Sequence, residues 1–109
     1  MIRSVLVGMA VCVCVASFAA AQDAKANGEK LYADQKCALC HSIGEKGNKK
    51  GPLDAIGSKL SADELRQWLV DAKGMAVKAK SIRKPVMKNY TLAKDELDSL
   101  VAYMSSLKK

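Results

Sequence analysis

The sequence has one histidine, two prolines and, beyond residue 21, four aromatic side chains: Tyr32, Trp68, Tyr90 and Tyr103. Each shortage excludes something. A lone His41 rules out any site that needs two imidazoles from one chain. Four aromatics are few for filling a core, because Phe, Tyr and Trp normally supply the largest buried areas. No apolar run after Ala21 approaches the roughly 20 residues that a membrane-spanning helix needs. Acid is scarce too: 11 Asp and Glu stand against 18 Lys and Arg, a net charge of +7. Of the four cysteines, Cys12 and Cys14 lie in the N-terminal stretch, leaving Cys37 and Cys40 for the rest of the chain.

The N-terminal stretch reads as an address. Arg3 gives a basic start, Val5 to Ala21 is uncharged and mostly apolar, and Ala19-Ala20-Ala21 offers small residues for cleavage. Residues 1–21 are therefore expected to be a cleaved signal peptide, and 22–109 one domain, soluble in the periplasm and without stable membrane insertion. A retained N-terminal anchor is the alternative. Valine before Cys12 and Cys14 argues against lipid attachment at either. Export places Cys37 and Cys40 where thiols tend to be oxidised.

Three helices are legible in residues 22–109, and no strand is. The first covers about 23–34, with Gly28, Leu31 and Tyr32 on one face. The second opens at Ser61-Ala-Asp-Glu64, a capping box that satisfies orphan amides at a helix start. Its stripe is Leu65, Trp68, Leu69 and Ala72, and Gly74 is its expected stop. The third starts from Thr91 as N-cap and buries Leu97, Leu100, Val101, Met104 and Leu107. Residues 42–59 and 75–90 read as loops, the latter kept from helix by Pro85. Each stripe is short. The helices need a shared apolar object to pack against.

Cys37-Ala-Leu-Cys40-His41 supplies one. In C-x-x-C-H, two thiols can add to the two vinyl groups of one haem, and the next imidazole can ligate the iron. Zinc is a weaker reading, because structural sites want four nitrogen or sulfur ligands and residues 22–109 hold three. A thioredoxin-like pair wants a βαβ setting, and a disulfide across two residues closes too small a loop to stabilise much. One covalent haem c is the expected cofactor, with His41 as axial ligand. For the sixth position the candidates are Met75, Met87 and Met104. Met104 falls on the buried face of the last helix and reads as core. Met75 sits at a helix end. Met87, in the stiffened segment Lys84-Pro85-Val86-Met87, is the favoured ligand; an open or Lys-ligated site is the alternative.

These residues resemble a class I cytochrome c of the small bacterial type, over essentially all of residues 22–109. Gly28 to Tyr32 is similar to the family's first helix, which closely crosses the last. Cys37 to His41 matches its attachment motif, and Leu97 to Leu107 is similar to its terminal helix. The resemblance implies an all-α cytochrome c fold of three to four short helices around one haem. It further implies that Pro52, in Gly51-Pro52-Leu53, offers its carbonyl to the axial imidazole. Trp68 is implied to wall the haem from the second helix. Three departures stand out: Ala72 where Pro is common, Lys88 where Pro often follows the methionine, and Met104 in place of Leu. The second implies a less rigid methionine loop.

The expected function is outer-sphere electron transfer, by a protein that is expected to be a monomer and not an enzyme. A ligand sensor or peroxidase-like haem protein is the alternative if Met87 leaves the iron. Lys46, Lys49 and Lys50 follow the haem motif, and Lys78, Lys80, Arg83, Lys84 and Lys88 surround the methionine loop. Together they form a basic collar suited to acidic patches on redox partners. Nucleic acid is not an expected partner for an exported chain.

Overall fold

The computed structural model describes residues 5–109, with side chains from residue 20 onward. The signal-peptide reading concerns residues 1–21, of which 1–4 and the side chains of 5–19 lie outside the described residues. Among the described residues, no helix is long and apolar enough to cross a membrane.

Helix α1 runs Val5–Asp34, continuous across Ala21 rather than starting near Asp23. Ala19, Ala20, Ala21, Ala24 and Ala26 explain the continuity, since alanine is the strongest helix former. It ends where Lys36 turns into the left-handed region at φ 59°. Gly28 is buried, and a Cβ there would run into the Ser99 carbonyl and stand 2.6 Å from Tyr103 Cβ. Glycine thus lets α1 cross α5 (Lys94–Ser105) at close range. One turn on, Tyr32 meets Tyr103 edge-on, ring centroids 5.9 Å apart and planes at 64°, a favoured aromatic geometry.

Helix α5 starts at Ala93 as N-cap, two residues later than Thr91. Alanine has no side chain to cap with, but the Glu96 carboxylate accepts the Ala93 N–H at 3.2 Å. Helix α3, Ala62–Val70, has the expected capping box. Ser61 Oγ accepts the Glu64 N–H at 3.2 Å, and the Glu64 carboxylate accepts the Ser61 N–H at 3.1 Å. The expected stop at Gly74 is displaced. Asp71, at φ −140° and ψ 53°, breaks the helix and caps a second one, α4, Ala72–Lys78, by accepting the Gly74 N–H at 3.2 Å. Gly74 lies inside α4, where a Cβ would meet the Asp71 carboxylate. An Arg66–Asp98 ion pair at 2.8 Å ties α3 to α5.

The expected loop 42–59 is partly regular. Strands β1 (Ser42–Ile43) and β2 (Lys46–Gly47) pair antiparallel, with Gly44 at φ 59° and Gly47 at φ 102° turning the chain. Two-residue strands are too short for alternation to announce them. Helix α2, Ile56–Lys59, docks on the end of the chain through Gly57 N–H to the Leu107 carbonyl at 2.8 Å. Leu65, Leu69, Leu100, Val101, Tyr103 and Met104 form the buried cluster, all from α3 and α5. Leu31, Leu60, Met87 and Tyr90 pack on it half-buried. The core is small for the chain, as the shortage of aromatics anticipates.

Candidate functional site

A short 3-10 turn over Cys37–Leu39 follows α1. The N–H groups of Cys40 and His41 both donate to the Cys37 carbonyl, at 3.1 and 2.9 Å. With three residues per turn, side chains three apart eclipse, so Cys37 and Cys40 share one side. Both are free thiols. Burial pushes the Cys37 thiol above its ordinary pKa.

The turn opens on a cavity of about 640 Å³, within the roughly 300–1,000 Å³ range of small-molecule and cofactor sites. Cys37, Cys40 and His41 line it from the turn. Leu65, Trp68 and Leu69 line it from α3, Met104 from α5, and Met87 and Tyr90 from the segment leading to α5. Met75 is not among its lining residues. Of the three sequence candidates, then, Met87 and Met104 reach the cavity, and Met104 is also a member of the buried cluster.

His41 is half-buried, and its Nδ1–H donates to the Gly51 carbonyl at 3.0 Å. That bond fixes the tautomer and leaves the lone pair on Nε2, the arrangement a metal-ligating imidazole needs. Burial lowers the His41 pKa; the Gly51 carbonyl opposes the shift and the Arg83 charge adds to it. The acceptor corrects the expectation for Pro52, which is exposed and does not line the cavity. The carbonyl of its neighbour Gly51 accepts the imidazole N–H, and also accepts the Ser42 N–H at 3.1 Å. Pro52 is paired with Ser42 in an isolated bridge, and Leu53 N–H closes on the Ser42 carbonyl at 2.8 Å. Carbonyl direction alternates along extended chain, so a one-residue offset is invisible in the sequence.

Arg83 also departs from expectation. Rather than joining a solvated collar, its guanidinium turns inward and donates to the Cys40 carbonyl. The far end of the methionine segment is held by Tyr90 N–H to the Leu69 carbonyl at 2.7 Å, and by Lys73 N–H to Asn89 Oδ1 at 3.0 Å. Sequence reasoning passed over Tyr32 and Tyr90 as cavity residues. Tyr32 Oη is buried without a hydrogen-bond partner among the described residues, and burial lifts its pKa to about 12.

Two adjacent thiols, a neutral oriented imidazole, an apolar chamber of cofactor size and an orphaned hydroxyl in its wall fit a covalently held haem. A family model for cytochrome c matches residues 25–108.

The chain belongs to the cytochrome c family.

No curated protein and no solved structure matches it in its own right. As a cytochrome c it has the family's all-α fold, to which the β1–β2 pair is a local addition. Membership makes it a haem-based electron carrier whose prosthetic group is covalently bound haem c with its iron. Half of the small buried cluster of this cytochrome c, Leu65, Leu69 and Met104, also lines the chamber.

Proposed function

We propose that this cytochrome c is an exported monohaem shuttle that carries single electrons with its iron held between His41 and Met87. The observation that supports this most is the convergence of Cys37, Cys40, His41 and Met87 on one apolar cavity. When bound, the haem supplies a one-electron ferric/ferrous couple. Cys37 and Cys40 tether it as thioethers. His41 offers Nε2 as a neutral donor, held in orientation by Gly51. Met87 offers a thioether, a soft ligand that favours the ferrous state and raises the potential. Leu65, Leu69 and Trp68 exclude water, and an apolar wall disfavours the more highly charged ferric form. With His41 and Met87 both holding the iron, no position would remain on it for substrate, and the group would supply electron transfer without bond making.

Periplasmic location rests on the signal-like residues 1–21 and on the chemistry of haem attachment in bacteria. Docking rests on charge. Lys46, Lys49, Lys50, Lys78, Lys80, Lys84 and Lys88 are all exposed. Lys49 is already engaged by Glu45 at 2.5 Å, and Lys88 lies over the Tyr90 ring at 4.9 Å. Leu39 and Val86 border the cavity while 71% and 43% exposed. An apolar lip with lysines around it suits a redox partner whose own docking patch is acidic.

Spectroscopy separates this reading from a ligand sensor or peroxidase-like protein. The ferric protein is expected to show the weak far-red band of thioether ligation, lost in Met87→Ala, and the ferrous protein to refuse carbon monoxide. Carbon monoxide binding by the parent protein, with no far-red band, selects the open-site alternative.

A further inference from the structure

Residues 84–88 make no hydrogen bond among the described residues, so the backbone of Met87 is held through the ends of its loop. One end is secured on α3 and α4 by Tyr90 and Asn89. The other rests on Arg83. Its neighbours on both sides, Ile82 and Lys84, are exposed, yet Arg83 is half-buried. Its guanidinium donates to the carbonyl of Cys40, 43 residues away in sequence. It also packs against Gly51, where a Cβ would meet Arg83 Cζ at 2.7 Å. Gly51 is the residue whose carbonyl orients His41. One planar cation therefore touches both the peptide before His41 and the residue that aims its ring.

We infer that Arg83 is a positioning residue that clasps the Met87 loop to the Cys37–His41 segment, so that retention of Met87 on the iron depends on its guanidinium. The inference rests on the His41/Met87 reading above. A tethered thioether competes with free ligands through its effective concentration, which falls when the tether loosens. Hydrogen bonds to charged groups are worth enough that losing this one shifts the competition about ten- to hundredfold. Lysine keeps the charge but not the planar fork, and arginine and lysine are not interchangeable at such a contact.

The test titrates the ferric holoprotein with free imidazole and follows the far-red thioether band, with the reduction potential measured alongside. Arg83→Ala is expected to bind imidazole at least about tenfold more tightly than the parent and to have a lower potential. Arg83→Lys is expected between the two on both measures. Equal imidazole affinity and equal potential in the parent and Arg83→Ala overturn the clasp while leaving the ligand reading intact. If Arg83→Ala does not fold, Arg83→Lys decides: higher imidazole affinity than the parent supports the clasp, and unchanged affinity overturns it. A parent protein without the thioether band overturns the ligand reading, and the clasp with it.

Discussion

Replacing Gly28 with alanine tests the packing that frames the haem chamber. Two effects oppose each other. Alanine is the better helix former by about 1 kcal/mol in a helix interior. Against that, the new Cβ would stand 2.6 Å from Tyr103 Cβ and 2.7 Å from the Ser99 carbonyl carbon, where ordinary contact begins near 3.4 Å. Backbone cannot rotate aside, so α1 and α5 must separate by close to 1 Å. A gap of that size forfeits about a quarter to a half of each dispersion contact across it. Overpacking of this kind costs about 1–3 kcal/mol, and slackening the Tyr32–Tyr103 edge contact adds about 0.5–1.5 kcal/mol. The balance is a destabilisation of about 2 kcal/mol. For a domain of this size that lowers Tm by about 8–16 °C. Circular dichroism melts of the holoprotein measure it, with exposed Ala26→Gly as a propensity-only control expected to lose about 1 kcal/mol. A Gly28→Ala protein as stable as the parent, or more so, refutes the close crossing.

Three further outcomes are expected. The double variant Cys37→Ala/Cys40→Ala, unable to tether the group that completes its core, should lose its cooperative thermal transition; full helicity with a sharp melt would contradict this. Asp98 is held below the usual carboxylate pKa, chiefly by its hydrogen bond from Arg66, so it stabilises the fold above the unfolded value and loses that contribution as pH falls through the folded one. Asp98→Asn should therefore flatten the acid limb of a stability–pH curve below about pH 4, where the ordinary aspartate titrates, and an unchanged limb would show the pair to be inert. Burial raises the pKa of all three tyrosines, Tyr32 to about 12. The phenol form favours folding, a contribution complete below the ordinary value near 10 and lost as pH rises through each raised folded value (about 12 for Tyr32), so phenolate absorbance should lag that of unfolded chain; coincident titrations would contradict it.

The chemistry was legible where it depends on adjacent residues. The spacing of Cys37, Cys40 and His41 announces its use, because one turn presents all three. The Ser61–Glu64 capping box and the stripes around Leu65 and Leu100 are local as well, and α3 and α5 follow from them. What stayed hidden depends on partners distant in sequence or on single-residue offsets. Gly74 reads as a helix stop, but Asp71 makes the break and caps a further helix across it. Thr91 is the stronger cap by residue type, yet the bond from the Ala93 N–H to the Glu96 carboxylate sets the start at Ala93. Arg83 looks like one more surface cation in a lysine-rich segment. Only its contact with Cys40 separates it from them. Gly51 rather than Pro52 meets His41 because the bridge to Ser42 fixes which carbonyl faces the ring.

The central claim is that Cys37 and Cys40 hold a haem covalently, and intact-mass spectrometry tests it most directly. Protein purified from cells competent in cytochrome maturation should weigh one haem more than its polypeptide and stay coloured after acid denaturation. A colourless protein with the mass of the bare polypeptide would contradict the account.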